Sequence, residues 1–64
     1  MNNQRIINQI KNDPRVESVW DEKEDGWWCA LKSGWYCELT DCGSCHEETL
    51  EQLLAALDCC HLRD

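Results

Sequence analysis

The recurrence of apolar residues at every second position between 27 and 39 constrains the fold more than any other feature of this chain. Every second side chain there is apolar, with one interruption at Ser33-Gly34; the apolar positions are Trp27, Cys29, Leu31, Trp35, Cys37 and Leu39. A period of two residues is that of a β-strand that buries one face. Asp25-Gly26, just before the alternation, is typical of hairpin turns. The sequence therefore predicts three antiparallel strands, at residues 15–24, 27–32 and 35–39.

An amphipathic helix is predicted before the strands. Three isoleucines form one apolar stripe within residues 2–12, namely Ile6, Ile7 and Ile10. Asn2 or Asn3 is available as the N-cap of this helix. Asp13-Pro14 then ends it, because proline disfavours helical geometry in the residue before it.

A second amphipathic helix is predicted after the strands, over residues 46–59. Four leucines recur there with helical spacing, namely Leu50, Leu53, Leu54 and Leu57. Ser44 and Glu47 stand three residues apart, as the two members of a capping box do. The expected fold is an α+β domain of order αβββα, in which a three-stranded antiparallel sheet packs one face against both helices. A chain of 64 residues has room for one domain, which we place at 1–64.

The charge of the chain limits its partners. Thirteen acidic and six basic residues give a net charge of −7. Six scattered cations do not form the clustered basic patch that nucleic-acid binding needs, so we expect a protein partner and no direct nucleic-acid partner. The sequence opens without the apolar stretch of a secretory signal, and no apolar run reaches the ~20 residues of a membrane span. We therefore expect a cytoplasmic protein with no membrane partner.

Six cysteines in a cytoplasmic chain are expected to be reduced thiols or metal ligands rather than disulfides. Our leading interpretation is thiols without a cofactor, with Cys29 and Cys37 as small core residues. Zinc is the first alternative, and its candidate ligands are Cys37, Cys42, Cys45, His46, Cys59, Cys60 and His61. A helix over residues 46–59 would separate Cys45 from Cys59 by about 20 Å. Zinc binding therefore requires a much shorter helix, or ligands such as Cys37 and His46.

Two further cofactors match short patterns in the same region. Residues 42–46, CGSCH, satisfy the pattern that attaches c-type haem. Haem attachment occurs outside the cytoplasm, and His61 is the sole plausible second axial ligand, so haem is a minor alternative. Cys37, Cys42 and Cys45 have the local spacing of plant-type ferredoxins. An iron–sulfur cluster is also a minor alternative, because the chain is about half as long as expected for such a ferredoxin.

The sequence predicts an aromatic patch on the solvent side of the sheet. Neighbouring strand residues face opposite sides, so Trp28 and Tyr36 fall opposite the expected core. Lys32 and Glu38 form the rim of this patch, a composition typical of interface anchors. A homodimer contact, or an aromatic pair that is merely shielded, is an equal alternative. Glu48 and Glu51 on the second helix add acidic contacts for a partner, and we expect no enzymatic activity because no deep cleft or nucleophile arrangement is evident.

A resemblance supports the partner-binding interpretation. Residues 25–35, DGWWCALKSGW, followed by residues 46–49, HEET, resemble short uncharacterised phage and prophage proteins with an aromatic hairpin and an acidic C-terminal helix. The similarity covers residues 16–58. It implies a small acidic protein that binds a host protein as an inhibitor or a nucleic-acid mimic, and it implies that the haem pattern is incidental.

Overall fold

The computed structural model describes residues 3–63 and has an α+β fold, which confirms the predicted class. Its helices are α1 (Asn3–Lys11) and α2 (Leu50–Ala56), and short 3-10 turns occupy Lys23–Asp25 and Leu57–Cys59. Its strands are β1 (Val16–Asp21), β2 (Trp27–Leu31), β3 (Trp35–Cys37), β4 (Ser44–Glu47) and β5 (Cys60–Leu62). Asn2, one of the two predicted caps of α1, lies outside the described residues. No helix in the described part of the chain is long and apolar enough to cross a membrane.

The larger sheet has three antiparallel strands in the order β1-β2-β4. Strands β1 and β2 form the predicted hairpin, but their connection spans several residues, and the N–H of Glu22 donates to the carbonyl oxygen of Gly26 at 2.8 Å. Gly26 has a φ of +82°, and a Cβ there would lie 2.5 Å from the carbonyl oxygen of Glu47. Glycine therefore lets the hairpin loop approach the end of β4 closely.

The third strand of this sheet is β4, so the prediction that residues 35–39 occupy that place is wrong. The N–H of Leu31 already donates to the carbonyl oxygen of Gly43, and β4 takes the rest of that edge of β2. Strand β3 instead pairs antiparallel with β5 in a separate two-stranded sheet. Strand β3 ends at Cys37, and Leu39 lies in the following turn with 61% of its surface exposed. Leu39 was predicted on the core face, and this assignment is also wrong.

Helix α2 is shorter than predicted and has a different cap. Thr49 is its N-cap: its hydroxyl accepts from the N–H of Gln52 at 3.1 Å, and its own N–H donates to the Gln52 side-chain oxygen at 3.2 Å. Ser44 and Glu47 lie in β4 instead. Both pairs satisfy the capping-box pattern. The true pair is the one immediately before Leu50, the first leucine of the apolar stripe.

The core lies between the two helices and the inner faces of both sheets. Its buried side chains are Ile6, Ile10, Val16, Cys29, Leu31, Cys37, Cys45, Leu50, Leu53, Leu57 and Cys60. Ile7 and Trp27 pack against this core at its edge, as the helical stripe and the strand alternation predict. The Arg15 guanidinium binds both carboxylate oxygens of Asp13, at 2.8 and 2.6 Å, and donates to the carbonyl oxygen of Leu57 at 2.6 Å. These contacts tie the start of β1 to the end of α2.

Candidate metal centre

Three cysteine sulfur atoms converge inside the core. The Sγ atoms of Cys37, Cys45 and Cys60 all lie within 4.8 Å of one another. The sulfur atoms of Cys45 and Cys60 are 3.4 Å apart. All three residues are at most 4% exposed. We call this group the thiol cluster.

Strand pairing explains why these thiols meet. Cys60 lies opposite Cys37 in the two-stranded sheet, and Cys45 lies opposite Cys29 in the three-stranded sheet. Paired residues in an antiparallel sheet project to the same face, so each sheet presents two cysteines to the core. The thiol cluster forms where the inner faces of the two sheets meet. It therefore joins the sheets directly.

The spacing of the thiol cluster fits a single tetrahedral metal ion. Zinc binds thiolate sulfur at about 2.3 Å, which places two sulfur ligands of one tetrahedron about 3.8 Å apart. Separations of at most 4.8 Å, with one of 3.4 Å, are close to that value. A disulfide needs a sulfur–sulfur bond of about 2.05 Å, and all six cysteines are free thiols in this structure.

Burial and neighbouring sulfur atoms set the ionisation of the three thiols. Burial raises the pKa of Cys45, and the thiols of Cys37 and Cys60 raise it further. Burial also raises the pKa of Cys60, to about 11, although the Cys45 thiol partly offsets this effect. Burial opposes ionisation of Cys37 as well, but hydrogen bonds from the Cys45 thiol and backbone groups outweigh it and lower the pKa of Cys37. Cys37 is therefore the first of the three to ionise.

The prediction that about 20 Å would separate the start and end of the second helix, and so disfavour zinc, is wrong. Cys45 lies on β4, outside the helix, and α2 has only seven residues. The chain turns back after α2, so Cys60 enters β5 beside Cys37. The structure therefore has the shorter helix that zinc binding required.

The other predicted ligands are not members of the thiol cluster. Cys42 is exposed, and its sulfur contacts the Thr40 hydroxyl at 3.3 Å. Cys59 is only half-buried. His46 is exposed and donates from Nε2 to the carbonyl oxygen of Asp25, while His61 is exposed and lies 3.3 Å from a carboxylate oxygen of Glu38.

The residues of the haem pattern and of the ferredoxin pattern also lie in different environments, some buried and some exposed. Cys45 points into the core, the following His46 is exposed, and Cys42 is held at the surface by contacts with Thr40 and Ser44. The two cysteines and the histidine of the haem pattern therefore do not present their side chains to one site. In the ferredoxin spacing, the backbone of Cys42 pairs with that of the buried Cys37, but the Cys42 sulfur lies at the surface against Thr40 and Ser44.

The structure places the two predicted aromatic anchors on different sheets. Tyr36 is on β3, where the Arg63 guanidinium lies 4.5 Å from its ring centre. Trp28 is on β2 and stacks on the His46 ring, with the centroids 4.6 Å apart. The remaining predicted contacts are all at the surface, namely Lys32, Glu38, Glu48 and Glu51. Binding of a protein partner by these residues stays a prediction.

Trp28 is part of a row of ring side chains across three strands, which the sequence analysis did not predict. Trp20 on β1 and His46 on β4 are its partners on either side, and we call these three residues the aromatic row. The row lies on the face opposite Cys29 and Cys45, because alternate residues point to opposite faces. Trp20 is 37% exposed, and its indole N–H donates to a carboxylate oxygen of Glu22 at 2.6 Å. The position of His46 in this row depends on the pairing of β4 with β2, which local patterns did not predict.

The thiol cluster and the aromatic row are thus the two chemically distinctive features of the described chain, one buried and one at the surface. Comparison with known proteins assigns neither feature a role. No family model, curated protein or solved structure matches the chain.

Proposed function

We propose that this protein is a zinc-binding mini-domain in which Cys37, Cys45 and Cys60 hold the ion. The observation that carries the proposal is the convergence of three buried sulfur atoms within 4.8 Å, from three different strands. Thiolates are soft ligands that suit zinc, and a tetrahedral sulfur environment is typical of zinc sites.

The burial of the thiol cluster favours a structural rather than a catalytic role for the ion. Catalytic zinc sites keep one coordination position open to water or substrate, whereas structural sites are closed. The three cysteines are at most 4% exposed and lie between two sheets. An ion there would cross-link the sheets, which stabilises a chain too short for a large core.

Metal content tests this proposal. Protein expressed without added metal should carry about one zinc ion per chain, measured by elemental analysis and by native mass spectrometry. Cys45→Ser should lose the ion, because it removes a central ligand. Cys42→Ser should keep it, because Cys42 is exposed and lies apart from the cluster. Wild-type protein that is folded and reduced but free of metal, even after zinc is supplied, would contradict the proposal.

We propose as a second function that the aromatic row binds a protein with a basic surface. Trp28 and His46 stack beside an acidic hairpin loop that contains Glu22, Glu24 and Asp25, all exposed. Tryptophan is enriched among the residues that dominate interface energies. Acidic residues at the rim attract a basic partner and chiefly affect its association rate. This arrangement keeps the predicted role of Trp28 but replaces Tyr36 with Trp20 and His46.

Substitution of Trp28 tests the second function. Partners captured from native-host lysate should be purified, and their binding should weaken by more than about 2 kcal/mol in Trp28→Ala. Tyr36→Ala is the matched control, because it removes an aromatic ring of similar burial from the other sheet. Circular dichroism checks that both variants fold. Equal binding by Trp28→Ala and Tyr36→Ala would contradict a role for the aromatic row.

A further inference from the structure

A fourth buried cysteine stands next to the thiol cluster. Cys29 on β2 lies directly opposite Cys45 on β4, and it is fully buried. Directly opposed residues in an antiparallel sheet have Cβ atoms about 4.5–5.5 Å apart and share a face. The backbone therefore directs the Cys29 and Cys45 side chains into the same part of the core.

Within residues 3–63, the Cys29 side chain has no strong competing hydrogen bond. Its sulfur makes one weak contact, to the carbonyl oxygen of Ala30 at 3.9 Å, and lies outside the 4.8 Å grouping of the other three. The staggered rotamers of a cysteine are 120° apart, so one rotation about χ1 moves the sulfur by about 3 Å.

The two remaining cysteines are less suitable as a fourth ligand. Cys42 lies opposite Cys37 in an isolated bridge, but its sulfur is at the surface and contacts Thr40 and Ser44. Cys59 is half-buried and precedes β5 in the chain. Cys29 is the remaining cysteine that, like the three cluster members, is buried in the core.

We propose that Cys29 is the fourth ligand, so that Cys29, Cys37, Cys45 and Cys60 form a closed four-thiolate zinc site. This inference rests on the proposed zinc function and completes its coordination. Each sheet then contributes one directly paired cysteine couple, Cys29 with Cys45 and Cys37 with Cys60. The thiol protons leave to solvent when the ion binds, as in other thiolate metal sites.

Cobalt substitution tests the ligand assignment. Co²⁺ added to reduced, metal-free protein gives a sulfur-to-cobalt charge-transfer absorption whose intensity per bound ion increases with the number of thiolates. Cys29→Ser should lower that intensity by about one quarter, because one of four sulfur ligands is lost. Cys42→Ser and Cys59→Ser should leave it unchanged. If instead Cys42→Ser or Cys59→Ser causes the loss and Cys29→Ser does not, the assignment to Cys29 is overturned.

X-ray absorption of the wild-type zinc protein gives a measurement that does not depend on any variant folding. Four sulfur neighbours at about 2.3 Å are expected. Three sulfur neighbours and one oxygen or nitrogen would overturn the role of Cys29 while leaving the zinc function intact. Wild-type protein that binds neither Zn²⁺ nor Co²⁺ would overturn both.

Discussion

From the proposed zinc function, removal of the ion is expected to unfold this protein at 25 °C. Eleven described residues form the core, and four of them are cysteines, which bury less apolar surface than leucine or isoleucine. A core in so short a chain supplies only about 3–5 kcal/mol, whereas structural zinc sites contribute apparent binding energies of about 10–16 kcal/mol. Circular dichroism and tryptophan fluorescence before and after treatment with a strong chelator measure the effect. Adding zinc back should restore the signals.

Two variants separate loss of the ion from other effects of the chelator. Cys45→Ser should be unfolded, or nearly so, with or without added zinc. Cys42→Ser should behave as wild type, because its thiol lies at the surface. A chelated wild-type protein that still melts cooperatively at its original temperature would show that no ion stabilises the fold.

Acid should have the same effect as the chelator. Thiols of an unfolded chain have a pKa of about 8.5 and are protonated below it. Burial in the fold raises the pKa of Cys45 and of Cys60 further, whereas hydrogen bonds lower the pKa of Cys37. Protons therefore compete with zinc for the thiolates, and the apparent affinity falls by up to about tenfold per thiolate ligand for each pH unit below neutrality. Stability should be highest above neutral pH and fall as the pH decreases.

Leu53→Ala is expected to destabilise the zinc-loaded protein by about 2–5 kcal/mol. Leu53 is fully buried on α2, and truncating it leaves a cavity between the helix and the sheet. Leu54, its neighbour in the predicted apolar stripe, is only half-buried and packs at the edge of the core. Leu54→Ala should therefore cost only about 1 kcal/mol. Urea unfolding of both variants measures the difference, and an equal or larger loss in Leu54→Ala would contradict the observed orientation of α2.

Local periodicity correctly predicted the elements in which spacing along the sequence determines which side chains face the core. The isoleucine stripe gave α1, and the alternation of Trp27, Cys29 and Leu31 gave the inner face of β2. The partners of the strands could not be predicted in the same way. Strands β4 and β5 have only four and three residues, and they pair with segments far away in sequence. Leu39 illustrates the error, because it continues the alternation but follows the end of β3.

The sequence could predict which residue types form the candidate site, but it could not predict which of those residues lie close together. Cysteine spacing alone included Cys37, Cys45 and Cys60 among seven candidates, together with several residues that lie elsewhere. The selection depends on β4 pairing with β2 and β5 pairing with β3, and both are long-range contacts. Cys29 had a recognisable signal, its place on the inner face of a strand, but that signal is the same for a core residue and for a ligand.

The separation between Cys37 and Cys60 also affects how the native state is reached. The β1–β2 hairpin joins neighbouring segments and can form within microseconds, whereas the pairing of β3 with β5 must first close a loop of 23 residues. Until that loop closes, a zinc ion can bind Cys42 and Cys59 as readily as the cysteines that become buried in the native state. Misligated chains are therefore the expected kinetic traps of refolding in the presence of metal, and exchange of thiolates on the ion becomes the slow step by which they escape.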